Sequence, residues 1–131
     1  MTTQLISTYK QWHGRVAAAN TSRDGTGTIV DVVTGHTSYG SRVDRIRAAA
    51  EVATTAGMLR LWLYNGTAWR LLDELAVTAI TPSTSVEVWQ SGDVVFRGGL
   101  KIPAGWKLGV TMHNAEAVNV FADGGDYGAA A

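Results

Sequence analysis

Cysteine is absent from this sequence, proline occurs only twice, and the charges cancel, eleven Lys and Arg against eleven Asp and Glu. The missing thiols exclude disulfides, thiolate nucleophiles and the usual cysteine-based structural zinc sites. The balanced charge lacks the basic excess that neutralising nucleic-acid phosphates requires, so no direct nucleic-acid partner is expected. No apolar run approaches the roughly 20 residues of a membrane span. The N-terminal "MTTQLISTYKQWHG" also lacks a basic stretch leading into a long apolar one. A soluble, unsecreted protein without membrane association is therefore expected. Its 131 residues amount to about one domain, long enough to bury a core.

What is present is glycine, fifteen residues of it, and five tryptophans, set among short apolar stretches broken by Gly, Asn and Ser. That composition belongs to many short strands and tight turns. In "MLRLWLY", Leu59, Leu61 and Leu63 alternate with Arg60, Trp62 and Tyr64 at the period of a pleated strand, with the leucines facing the core. Asn65–Gly66 follows, a dipeptide suited to a type I′ hairpin turn, and "TAWRLLDELAV" reads as the returning strand. There the adjacent Leu71 and Leu72 break the alternation, which calls for a bulge or a second buried face.

Further strands are expected in "QWHGRVAAA", "TIVDVV", "SVEVWQ", "DVVFRGG", "GWKLGVTM" and "AVNVFAD". In the last, Val118, Val120 and Ala122 face inward, and Pro103–Ala104–Gly105 supplies the turn before "GWKLGVTM". About eight strands with turn signals between them point to an all-β, antiparallel β-sandwich of jelly-roll type or a barrel. The segment "SRVDRIRAAAEVATTAG" is ambiguous. Ser41 three residues before Asp44, the alanines and the closing Gly57 fit a capped helix. A strand with Ile46, Ala48, Ala50 and Val52 inward and Arg45, Arg47, Ala49 and Glu51 outward fits equally. Residues 1–10 and 127–131 read as a loose arm and tail of this single domain.

Few residues carry the marks of chemistry. His13, His36 and His113 are far apart in sequence with no HxH or HExxH spacing, so no metal site is expected. No G-x-S-x-G occurs, and "TSRDGTGT" lacks both the third glycine and the lysine of a phosphate cradle. Asp73 and Glu74 project from opposite faces of a strand and form no acid/base pair, so they read as a solvated edge and a turn contact. "DGGD", Asp123 to Asp126, reads as a tight turn after the last strand rather than a calcium loop. No catalytic residue, cofactor or metal is assigned, and the chain is not expected to be an enzyme.

The aromatics are more informative. If the leucines of "MLRLWLY" define the inside, Trp62 and Tyr64 point outward, and Trp89 is out of phase with Val86 and Val88. Such residues mark a partner interface, a surface covered by the chain's own loops, or a sugar-stacking platform. Trp62, Tyr64 and Trp89 are the candidate interface.

Two long stretches, "TTAGMLRLWLYNGTAWRLLDELAVTAITPS" and "GGLKIPAGWKLGVTMHNAEAVNVFADGGDYG", resemble small virion proteins of tailed bacteriophages. In those, a strand-rich run ending in an NG or DG turn leads to "RL..E..V.A.TPS" and then to "L.LPAGW.L....HNAE..NV.A.GGD". The resemblance covers about Trp12 to Gly128. It implies a jelly-roll-like sandwich on the particle exterior, assembled in the host cytoplasm. The commonest such role is a capsid decoration or cement protein, often trimeric, whose partner is the major capsid protein or another virion protein. A neck, tail or fibre location and a carbohydrate-binding module are the alternatives. The family pattern also makes a strand of Arg42 to Thr54.

Overall fold

A computed structural model describes residues 5–129 of the chain. Within them lie β1 (Ile6–Val16), β2 (Val30–Thr34), β3 (Ser41–Ala50), β4 (Gly57–Tyr64), β5 (Trp69–Val77), β6 (Val94–Ile102), β7 (Lys107–Met112) and β8 (Val118–Tyr127). None of the described residues is helical. The strands form two antiparallel sheets of four: sheet I in the order β1-β8-β3-β6 and sheet II in the order β2-β7-β4-β5. Successive strands pass from one sheet to the other except for the β4–β5 hairpin, which gives the strand order of a jelly-roll sandwich.

The core lies between the inner faces. Val118 and Val120 of β8, Ile46 and Ala48 of β3, and Leu59 and Leu61 of β4 are all buried there. The ambiguous segment is strand because both neighbours in sheet I can pair with it: Ile46 opposes Ala122 on one side and Val94 on the other. A bulge at Asp44 shifts the phase, so Ser41 and Val43 face in before it and Ile46, Ala48 and Ala50 after it. The inward set stops at Ala50. Val52, expected inside, lies beyond the strand and is exposed.

Of the two alternatives at Leu71–Leu72, the bulge is present: Leu61 opposes Asp73 and Trp62 opposes Leu71, so Leu72 is the extra residue, packed on the core while Leu71 is exposed. Several other expectations are corrected. The Asn65–Gly66 connection is a four-residue loop: Tyr64 opposes Trp69. Asn65 has no positive φ, and its Oδ1 accepts from the N–H groups of Thr67 and Ala68 at 3.0 and 2.9 Å. "SVEVWQ" forms no strand; only Gln90 bridges, to Ala49. β1 begins at Ile6, within the expected arm, because Ile6 to Val16 find partners along β8. Residues 1–4 and 130–131 of the arm and tail lie outside the described residues.

"DGGD" is strand, the end of β8, rather than a turn. Its glycines are small where strands crowd: a Cβ on Gly124 would overlap the Arg42 carbonyl oxygen.

Candidate functional site

Trp62 does lie on the outer face of sheet II, but it is completely buried. Its indole N–H donates to Thr111 Oγ1 at 2.9 Å. The cover is residues 17–29, the loop from β1 to β2. Asn20 N–H donates to Met112 O at 2.8 Å, Arg23 reaches Glu74, and Ile29 and the Trp69 ring close over Gly109. Beneath this strap the Arg60 guanidinium is fully buried, with Nε 2.7 Å from Glu74 Oε2 and Nη2 3.3 Å from His113 Nδ1. Glu74 is therefore an ion-pair hub rather than a solvated edge or turn contact. Hydrogen bonds from Arg23 and Arg60 hold its carboxyl below the usual range.

The other two candidate aromatics do not join Trp62 in a patch. Trp89 is buried in the core, its carbonyl accepting from Ala50 N–H at 2.9 Å. Tyr64 is half-buried at the end of β4; its hydroxyl donates to Gly66 O at 3.1 Å and its ring stacks at a tilt 5.1 Å from Trp69. The three thus form no outward set: Trp62 is covered by a loop from elsewhere in the sequence, Trp89 belongs to the core, and Tyr64 packs on Trp69.

The histidines are likewise dispersed. His13 lies on β1, His36 accepts from the Ser38 and Tyr39 N–H groups in the turn before β3, and His113 opens the turn after β7. No three potential metal ligands meet among the described residues. The "TSRDGTGT" loop is internally bonded: Asp24 Oδ1 accepts from the Ser22 hydroxyl and from Thr26 N–H and Oγ1. The Ser22 and Thr26 hydrogen bonds bring the exposed Asp24 carboxyl down to about 2.

The open surface is the outer face of sheet I, which no loop among the described residues crosses in this way. Alternation places Tyr9, Gln11 and His13 of β1 there, with Phe121 and Asp123 of β8, Arg45 and Arg47 of β3, and Val95 of β6. Register sorts them into rows. One row runs Gln11, Asp123, Arg45, Val95; the next runs His13, Phe121, Arg47; and Tyr9 stands opposite Gly125 at the far end. Tyr9 is 83% exposed, Val95 65% and Phe121 46%, so three large apolar groups surround charged ones.

The charged groups are braced. Arg45 Nε lies 2.7 Å from Asp123 Oδ2 and its Nη1 3.7 Å from Asp93 Oδ2. The Asp123 hydrogen bond pushes the Arg45 guanidinium up from its ordinary value. Arg47 Nη2 reaches Gln90 Oε1 at 3.5 Å, and the His13 and Phe121 rings lie 6.4 Å apart. Two open depressions of about 560 and 700 Å³ lie along this face and share Gln11, Arg45 and Asp123. The outward phase of Arg45 and Arg47 was legible in sequence. That Tyr9, His13 and Phe121 join them was not, because it depends on β8 running between β1 and β3.

Fold and site together define a jelly-roll sandwich with one sheet strapped over and the other open as an aromatic-edged polar groove. Compared with protein-family models, curated proteins and solved structures, the chain matches none of them.

Proposed function

We propose that the chain is a structural component of a tailed-bacteriophage particle, a decoration protein on the head exterior that bridges major capsid subunits. The observation that carries the reading is the strand order, β1-β8-β3-β6 over β2-β7-β4-β5, which agrees with the jelly roll that the sequence resemblance implies. Jelly rolls serve in viral capsids but also in lectins and cupins, so the fold narrows the choice and the resemblance selects within it. A small, charge-neutral domain suits this task. Each contact can be weak when many copies sit on one lattice, because linked contacts raise the effective concentration of the next.

A neck, tail or fibre location is the second reading, and the open groove on sheet I favours it, since an adsorption element needs a surface free to meet a ligand. A carbohydrate module built on Trp62, Tyr64 and Trp89 has lost its platform, because Trp62 and Trp89 are buried. Particles assembled without this chain separate the two locations. Heads that break at low salt or raised temperature, and are restored by adding the purified protein, support decoration. Heads of normal stability that lack tails or fail to adsorb overturn it.

A further inference from the structure

We infer that the groove on the outer face of sheet I binds an acidic polysaccharide, a hydroxyl-rich chain bearing carboxylates. The middle of the groove is charged: Asp123, Arg45 and Asp93 form one linked set, with Arg45 and Asp123 side chains 55% and 29% exposed. The centre of a protein–protein interface is depleted of Asp, because sealing a carboxylate from water can cost more than its ion pair returns. Sugar hydroxyls both donate and accept, so they replace the displaced water bond for bond. The ion pairs meanwhile hold the protein's side of that exchange in place before any ligand arrives.

Aromatic edges complete the arrangement. Phe121 opposes His13, while Tyr9 stands opposite Gly125 four positions away along the same face. At about 3.3 Å per residue that separation is roughly 13 Å, longer than one sugar ring, so the groove suits a chain rather than a monosaccharide. The carboxylate preference comes from Arg47. It neighbours Phe121 across the β3–β8 pair and forms no ion pair among the described residues; its hydrogen bond there is the one to Gln90. A guanidinium with free parallel N–H groups is matched by a carboxylate in a two-bond contact.

This binding is a property of the isolated chain, so it stands or falls separately from any place in a particle. The test is calorimetric titration of the full chain with oligogalacturonate and with maltooligosaccharide of matched length. Oligogalacturonate is expected to bind and the neutral chain to bind more weakly. Phe121→Ala and Arg47→Ala, both at exposed positions, should each weaken oligogalacturonate binding by about tenfold or more. Arg47→Ala should also erase the preference for the acidic probe, and Leu71→Ala on sheet II should change neither. Absence of oligogalacturonate binding at millimolar concentration overturns the inference. So does an unchanged Phe121→Ala variant of native melting temperature, or neutral binding as tight as acidic.

Discussion

Arg60 Nε lies 2.7 Å from Glu74 Oε2, and the same oxygen lies 2.8 Å from Arg23 Nε. Two cations thus share one carboxylate oxygen. Arg60 is wholly enclosed, whereas the Arg23 side chain, on the strap, is 59% exposed. The buried guanidinium is balanced through Glu74, and the strap is fastened to the same group.

Removing the shared carboxylate should therefore do more harm than removing the outer cation. Glu74→Gln is expected to lower the urea midpoint well below that of Arg23→Ala, because it leaves a buried charge without its counterion. Replacing both members by apolar residues, Arg60→Met with Glu74→Leu, should recover part of the loss. Equal effects of the two single variants would mean that Glu74 does not balance Arg60.

Trp62 and its partner make a second, separable contribution. Trp62→Ala removes a fully buried indole and should cost about 3–5 kcal/mol, a large share of the stability of a domain this size. Thr111→Val keeps the volume but orphans the indole N–H, and about 1–3 kcal/mol is expected. Denaturant unfolding followed by tryptophan fluorescence measures both. A Thr111→Val variant as stable as the parent would show that the hydrogen bond is dispensable.

Gly124→Ala tests the contact between β8 and β3. The added methyl would overlap the Arg42 carbonyl oxygen, which is backbone and cannot swing aside. Loss of soluble folded protein is expected. Gly66→Ala has nothing within 4 Å of the new Cβ and should cost only the strain of a φ near 90°. Solubility and circular dichroism of the two variants check this contrast.

Acid should unfold the protein through its paired carboxylates. Burial raises the Asp126 carboxyl, but hydrogen bonds from Lys10 and Ser41 outweigh it and hold the group below its ordinary 3.8. A group whose folded value is depressed contributes stability that is complete above its unfolded value and vanishes as pH falls through the folded one. Glu51, bonded to Arg15 and Asn119, and Glu74 are depressed in the same direction. Melting temperature should fall steeply below about pH 4 on their account. Asp126→Asn should melt lower at neutral pH and lose less on acidification, whereas a parallel curve would exclude Asp126 from the acid response.

Local alternation carried the strand faces well. Leu59, Leu61, Ile46, Val118 and Val120 are inside because side-chain period is a property of the strand itself. The same alternation placed Trp62 on the correct outer face and said nothing of what lies above it. The strap of residues 17–29 crosses that face through contacts to β5 and β7, which are distant from it in sequence. "DGGD" misled for a related reason: paired glycines signal a turn when seen alone, but here they relieve crowding between strands that are distant in sequence. "SVEVWQ" alternates without a neighbour to pair with beyond Gln90. The groove on sheet I was half-legible, through Arg45 and Arg47, since its aromatic edges required knowing that β8 is central.

The pairing of β1 with β8 also sets how the molecule bears load. Ile6 opposes Tyr127, and Gly128 N–H donates to Leu5 O at 2.9 Å, so the two described ends leave from one corner of sheet I. A pull between those ends opens the pair like a zipper, straining one rung of the ladder at a time. The domain should therefore yield at low force when tugged by those two ends.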